Sequence, residues 1–246
     1  MLDPTRSADY TIWVVALLMY VSDAAKLLSP RELLLVEAGH GRLTAAFSAN
    51  PFTVAGRVLA FAPLLLPHRG VFVAPWASTW TDGAALNAVL RSVEQLRGSL
   101  FGARVLAAWA FVLLFVAGPV LTLLLGTTAA ILYTAAAVYP TVGAAIVFLW
   151  WRRSHLRLSA ARTARLSVEV LVCPAFLPNL VRKITALAPV EADGGPVLVA
   201  AADDDVKDEF LTRLEIRTEE LINELGPGEP AQEQLRAYLT AVRGAR

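Results

Sequence analysis

Two runs without a single Asp, Glu, Lys, Arg or His, residues 105–125 and 129–151, dominate the pattern of apolar and polar positions along this chain. The first holds 21 residues and the second 23, and only Gly126-Thr127-Thr128 separates them. At 1.5 Å rise per residue each forms a helix of roughly 31–35 Å, enough to cross a hydrocarbon core of about 30 Å. The pattern predicts a transmembrane helical hairpin. A stripe rich in small residues recurs every three or four positions along each helix: Ala103, Ala107, Ala110, Leu114, Ala117 and Leu121 on the first, and Ala129, Tyr133, Ala136, Pro140, Gly143 and Val147 on the second. Such stripes let helices approach closely, so they are the expected packing faces. Pro119 and Pro140 each remove a backbone donor and predict kinks, Gly118-Pro119 being the stronger hinge.

A shorter apolar stretch, residues 10–28, predicts a third crossing at the N-terminal side, giving an N-terminal transmembrane helix over 1–28. Asp23 and Lys26 lie at its end. Their spacing of three suits an intramembrane ion pair, with Lys26 reaching to the interface. Met1 to Asp9 has no net positive region of the kind that opens a secretory signal, so this stretch is expected to be retained.

Between these spans the periodicity changes. Residues 33–36, 42–47, 52–54, 57–61 and 71–74 are short apolar or alternating runs, with turn-like pieces at 38–41, 48–51 and 55–56. They predict a small antiparallel β module over 29–81. An amphipathic helix over 82–104 follows, with Ala85, Val89, Val93 and Leu96 on one face. After the hairpin, 152–190 is a basic juxtamembrane helical segment interrupted at Pro174 and Pro178, with Asn179 expected to cap a short helix. Region 191–246 ends the chain: a strand-like run at 197–201, a helix opened by Asp203-Asp204-Asp205, a stop at 226–228 and a last helix with Leu235, Tyr238, Leu239 and Val242 inward. The fold class is thus an α+β integral membrane protein: transmembrane hairpin, third N-terminal span, small antiparallel β module and C-terminal αα-hairpin.

Composition sharpens this reading. Of 246 residues, 56% are hydrophobic and 17% charged, below the roughly 25% charge of a soluble domain. The net charge of +1 gives no electrostatic footprint for nucleic acid. The distribution of charge is more telling. Arg91, Arg97 and Arg104 precede the hairpin, Arg152, Arg153, Arg157, Arg162 and Arg165 follow it, and its loop has no charge. The positive-inside tendency puts both flanks in the cytoplasm, with the N-terminus outside if the third span crosses. A ratio of 19 Arg to 3 Lys reads as a GC-rich, bacterial genome, hence a bacterial inner membrane.

Candidate chemistry is sparse. Cys173 is the single cysteine, which excludes a disulfide framework and a cysteine-based zinc site. His40, His68 and His155 show no metal-binding spacing, and no catalytic motif or cofactor signature is present. Adjacent acids at 203–205 suit a helix start better than a cation site. Five residues are candidate membrane-surface or ligand contacts: His68, Arg69, Asn179, Arg182 and Lys183. The expected partners are the lipid bilayer and, through the cytoplasmic helices, another protein or a second copy of the chain. The functional expectation is a non-enzymatic membrane protein that anchors an interaction module. A small transporter or channel component and a membrane-surface enzyme acting on lipid are the alternatives. The first would rely on Thr122, Tyr133, Thr134, Tyr139 and Thr141, and the second on convergence of His68, Arg69, Asn179 and Arg182.

Overall fold

The computed structural model describes residues 10–29, 31–38, 42–46, 53–54, 57–80, 83–188, 190, 192–225 and 229–245. It is an α+β chain. The first helix, α1 (Thr11–Ala24), is followed directly by strand β1 (Ala25–Leu28). Then come β2 (Glu32–Glu37), β3 (Leu43–Ala46), β4 (Thr53–Val54), β5 (Arg57–Phe61) and β6 (Val71–Pro75). Helix α2 (Gly83–Ser99) precedes the two long apolar helices, α3 (Phe101–Leu125) and α4 (Thr127–Arg152). The remainder is helical: α5 (Ala160–Val172), a 3₁₀ turn (Pro174–Asn179), α6 (Leu180–Ala186), α7 (Gly194–Ala201), α8 (Asp204–Glu224) and α9 (Pro230–Gly244). The turns expected at 39–41, 48–51, 55–56 and 226–228 lie outside the described residues, as does His40.

The chain divides into two compact units. One contains Met1–Lys26, Phe61–Gly70 and Leu96–Leu187; the other contains Leu27–Ala60, Val71–Gln95 and Ala188–Arg246.

In the first unit α3 and α4 form an antiparallel pair across Gly126, whose φ of +81° suits a residue without a β-carbon. Both helices are long and apolar enough to cross a membrane, by length and composition, and only 28% of each apolar window is buried. The inner face of α3 begins as the sequence predicts, with Ala103, Ala107, Ala110 and Leu114 buried. A π-helical segment at Leu113–Ala117 then shifts the stripe to Gly118 and Thr122. Pro119 has no amide hydrogen, and the wider π turn absorbs the break in the hydrogen-bond ladder just before it. On α4 the expected stripe is corrected by one or two positions. Ala130, Thr134, Val138, Thr141, Val142, Ala145 and Leu149 are buried, while Tyr133 and Val147 stand outward. The buried face carries the threonine hydroxyls of Thr134 and Thr141 among aliphatic side chains, and the tyrosines stand outward. Pro140 lies within α4, and the neighbouring Thr141 hydroxyl donates to the Ala137 carbonyl at 2.9 Å. A polar side chain accompanies each proline, Thr122 near Pro119 and Thr141 beside Pro140.

Helix α1 is shorter than the predicted span of residues 10–28. Its 14 residues rise about 21 Å, and Ala25 turns into extended backbone (ψ 136°). The long α5 helix is capped by the Ser159 hydroxyl, which accepts from the Arg162 amide.

In the second unit β2 is the centre of a three-stranded sheet of order β3-β2-β6, antiparallel on both sides, with Leu35 facing Ala45 and Phe72 in register. That position explains the continuous run Leu33-Leu34-Leu35-Val36, all of it buried: a central strand covered on both faces needs no polar alternation. A second sheet has the order β1-β5-β4. The run 197–201, expected as a strand, is helical. Asp193 caps it by accepting from the Gly195 amide at 2.8 Å. Gly194 touches the sheet so closely that a β-carbon there would lie 2.9 Å from Ala74 and Leu33. α8 and α9 form the expected αα-hairpin, with Leu211 and Leu214 inward on one helix and Leu235, Tyr238 and Val242 on the other.

Candidate functional site

Three constellations stand out, two in the first unit and one in the second. The first is built on Pro178-Asn179, where the 3₁₀ turn passes into α6. Arg182, one turn on, is 1% exposed. Its guanidinium donates to the Tyr20 hydroxyl (3.2 Å), to the Asn179 side-chain oxygen and to the Pro63 carbonyl, and it stacks 5.6 Å from the Tyr20 ring centre. Tyr20 in turn donates to the Leu64 carbonyl, and the Asn179 amide donates to the Tyr20 carbonyl at 2.9 Å. Asn179 does not cap α6 as expected; its amide donates instead to the Tyr20 carbonyl in the last turns of α1 and ties the two helices together. The Tyr20 ring lies against Phe111 and Phe115 of α3. Arg182 has no carboxylate within ion-pair reach among the described residues; neutral oxygens and an aromatic face hold it.

Lys183 adjoins this cluster with a different partner set. It bridges Asp23 at 2.9 Å and Glu169 at 2.8 Å, and it lies 4.5 Å from the Phe176 ring centre. Glu169 also receives Arg165 at 3.0 Å. Burial pushes the Glu169 carboxyl up, but the hydrogen bonds from Lys183 and Arg165 outweigh it and leave the group below its ordinary range. The ion pair expected between Asp23 and Lys26 is therefore made by Asp23 and Lys183, contributed by α1 and α6.

Of the five candidate contact residues, the structure brings Asn179 and Arg182 together and turns both inward. Lys183 is one-tenth exposed and neutralised by two carboxylates. His68 and Arg69 are half-buried on the 62–70 stretch that supplies the Pro63 and Leu64 carbonyls. Tyr20, which the sequence offers only as an aromatic suited to a membrane interface, and Glu169 are not among the candidate contact residues. A tyrosine four residues before the end of an apolar helix, and a lone acid in an Arg-rich amphipathic helix, were the available signals.

The second constellation is an apolar cavity of about 440 Å³, lined by Trp13 and Met19 of α1, Leu114 of α3, Thr134 and Val138 of α4, and Cys173. Beside it, the Trp13 indole donates to the Thr122 hydroxyl at 2.8 Å, and Thr122 donates to the Gly118 carbonyl at 3.0 Å. The Thr134 hydroxyl is buried and has no partner among the described residues.

The third constellation lies in the second unit. Asp193, 2% exposed, accepts four hydrogen bonds: the Ser78 amide and hydroxyl at 3.0 Å on one oxygen, and the Gly195 amide and Tyr238 hydroxyl at 2.8 Å on the other. Burial nonetheless pushes the Asp193 carboxyl up, outweighing the donors that pull it down, and burial together with the adjacent carboxylate pushes the Tyr238 phenol up. Ala77 holds a left-handed φ of +58° and presents Ser78 to this site. Gln234 closes it by donating to the Ser78 carbonyl at 3.0 Å.

Among the described residues no three His, Cys, Asp or Glu side chains assemble to hold a metal ion. Comparison with protein-family models, with curated proteins and with solved structures finds no match to this chain.

Proposed function

We propose that the protein is an integral membrane protein. In this reading the α3–α4 hairpin spans the bilayer and anchors an α/β module and the α8–α9 pair, which dock on a protein partner or on a second copy. The observation that carries this reading is the outward face of the hairpin. Val105, Trp109, Val112, Val116, Val120, Leu123 and Leu124 on α3, and Leu132, Tyr133, Tyr139 and Val147 on α4, are all exposed. The hydroxyls of Thr122, Thr134 and Thr141 face inward. Water outside would impose the reverse arrangement, and a contiguous apolar surface of this extent suits hydrocarbon.

The ends support the same reading. At 25 and 26 residues the helices rise roughly 38 and 39 Å. Trp150 and Trp151 close α4 beside Arg153 and Arg152, each guanidinium lying over an indole at 6.0 and 5.5 Å. Such a collar suits the headgroup layer. The basic flanks then belong on the cytoplasmic face of a bacterial inner membrane and Gly126 on the far side. α1 exposes Ile12, Val14, Leu17 and Leu18 and joins the apolar belt, although its own length falls short of a full crossing.

The membrane reading predicts that the protein stays in the membrane pellet after alkaline carbonate and is released by detergent. Recovery as a water-soluble monomer overturns it. The docking reading predicts that removing residues 203–246 abolishes a captured partner or reduces the oligomeric mass in detergent; an unchanged partner set and mass overturn it.

A further inference from the structure

We propose that the cavity lined by α1, α3, α4 and Cys173 binds one aliphatic chain carrying a carbonyl, as an acyl lipid or a free fatty acid does. The proposal rests on the membrane reading for the source of the chain. Its evidence is separate: the shape of the cavity and one hydroxyl.

The cavity is about 440 Å³, some three times the ~150 Å³ cavity that takes a benzene ring, and within the range of small-molecule sites. Its lining runs along two helices. Ile12, Val15, Ala16 and Met19 lie on one face of α1; Ile131, Thr134, Ala135 and Val138 lie on one face of α4. Spacings of three and four over seven residues make each wall a strip about 10 Å long. A slot between two such strips suits an extended chain better than a compact ring. No charged side chain lines it, so an ionic headgroup stays outside.

Thr134 supplies the polar contact. A helical threonine ordinarily returns its hydroxyl to the carbonyl four residues back. Thr122, Thr141, Thr163, Thr185 and Thr218 all do so, to Gly118, Ala137, Ser159, Val181 and Leu214. Thr134 does not: it is 5% exposed, and its oxygen has no partner. An unpaired buried hydroxyl is costly unless a ligand completes it. Of the other donors on the wall, the Trp13 indole is already engaged by Thr122, the Cys173 thiol faces the Met19 sulfur at 3.8 Å, and the Tyr139 phenol belongs to a half-exposed residue at the mouth. The site thus offers one buried, unengaged donor in an apolar slot, which matches one carbonyl on an aliphatic chain.

Cys173 lines the same slot and is the only cysteine, so its alkylation reports occupancy without competing signals. Lipid-stripped full-length protein held in an amphipathic polymer is titrated with oleic acid or with dioleoylphosphatidylglycerol. N-ethylmaleimide addition is then followed by intact mass. Saturable protection of at least fivefold is expected. Protection by both probes assigns the chain irrespective of headgroup, and protection by oleic acid alone assigns a free fatty acid. Thr134→Val is expected to raise the half-protecting concentration roughly three- to tenfold, the equivalent of one neutral hydrogen bond. Without ligand it is expected to melt higher than wild type, since it removes an unpaired hydroxyl. Thr134→Ser restores protection. Ala135→Trp fills the slot and abolishes protection, whereas Leu132→Trp, on the exposed face, leaves it intact. Absence of protection by either probe, or a Thr134→Val titration equal to wild type, overturns the proposal. Carbonate extraction tests the membrane reading independently: a pelleted protein without protection fails only the cavity assignment, and a soluble protein with protection fails only the membrane one.

Discussion

Trp13 and Thr122 are 109 residues apart in the chain, yet they share a buried hydrogen bond of 2.8 Å between the indole Nε1–H and the threonine hydroxyl. The bond exists because Gly118 leaves room for the ring: a β-carbon at that position would lie 2.4 Å from the indole. The π turn at Leu113–Ala117 carries Gly118 and Thr122 onto the buried face. The fastening of α1 to α3 therefore depends on one glycine, one hydroxyl and one helical irregularity.

Gly118→Ala should then weaken the first unit by about 1–3 kcal/mol, the usual range for forcing extra volume into a filled contact. Thr122→Val should act more mildly, by about 0.6 kcal/mol and at most ~1.7, as interhelical hydrogen bonds do in apolar surroundings. Thermal melting in detergent tests both. Equal melting temperatures for wild type and Gly118→Ala would show that the indole does not sit over this glycine.

Arg182 is the fully buried cation whose partners are neutral oxygens. Arg182→Lys should be poorly tolerated, because an ammonium is a point donor and cannot reach Tyr20, Asn179 and Pro63 together. A loss of about 2–4 kcal/mol is expected from the donors and acceptors left unpaired. A double-mutant cycle of Arg182→Lys with Tyr20→Phe should show a coupling of roughly 0.5–3 kcal/mol, since the two groups are in contact. Additive losses would separate them.

The lysine next along the helix makes a pH prediction. Glu169 sits below its ordinary carboxyl range because Lys183 and Arg165 hold its charged form against the cost of burial. Its contribution is therefore present above about pH 4.5 and lost as pH falls through its lowered native value. Wild-type stability should drop with acid in that window, measured by melting at stepped pH. Lys183→Met should flatten that dependence while lowering stability at neutral pH, because Asp23 and Glu169 lose their shared cation. A Lys183→Met profile parallel to wild type would refute the assignment.

Much of this architecture was legible in the chain. The hairpin was visible because a charge-free run of more than twenty residues has few physical outcomes. The central strand was visible because Leu33 to Val36 is apolar at every position, as a strand buried on both faces must be. The inner face of α4 lies one or two positions from the expected stripe because alanine occurs on every side of that helix, so small-residue spacing is degenerate. Thr134 and Thr141, seven apart, marked the correct face. The strand expected at 197–201 failed for another reason. Its valines favour extended backbone, but the Asp193 cap and the close seat of Gly194 on the sheet favour a helix. The Arg182 cluster joins residues 162 positions apart, a pairing that local pattern does not encode. What sequence offered was Arg182 and Asn179 as unusual polar residues in an apolar stretch, without the tyrosine that explains them.

The sidedness of the hairpin is open to direct measurement. In a Cys173→Ser background, Gly126→Cys is expected to react with a membrane-impermeant maleimide applied to intact cells. Ser154→Cys, beside Arg152 and Arg153, should react only after permeabilisation. The reverse pattern would contradict the placement drawn from the arginine flanks, and labelling of both from outside would contradict a crossing altogether.

Asp193 gives the second unit a pH response of opposite sign. Four donors converge on its carboxyl, but burial dominates and raises it above the usual aspartate range. A native state that binds this proton more readily than the unfolded chain gains stability as the proton is taken up. The contribution is present below about pH 3.8 and lost as pH rises through the raised native value. Acidification into that window should strengthen the second unit through Asp193 while it weakens the first through Glu169. Asp193→Asn should remove that pH dependence, yet it cannot restore neutral-pH stability, because its amide end must face donors that the carboxylate accepted. Asp193→Ala leaves the Ser78 and Gly195 amides without their acceptor and should cost about 2–4 kcal/mol. Tyr238→Phe removes one donor and should cost about 1 kcal/mol. Hydrogen exchange of α7 and α9 amides at stepped pH reads these effects within the second unit alone. If protection in Asp193→Asn still rises with acid as in wild type, some other group carries the response.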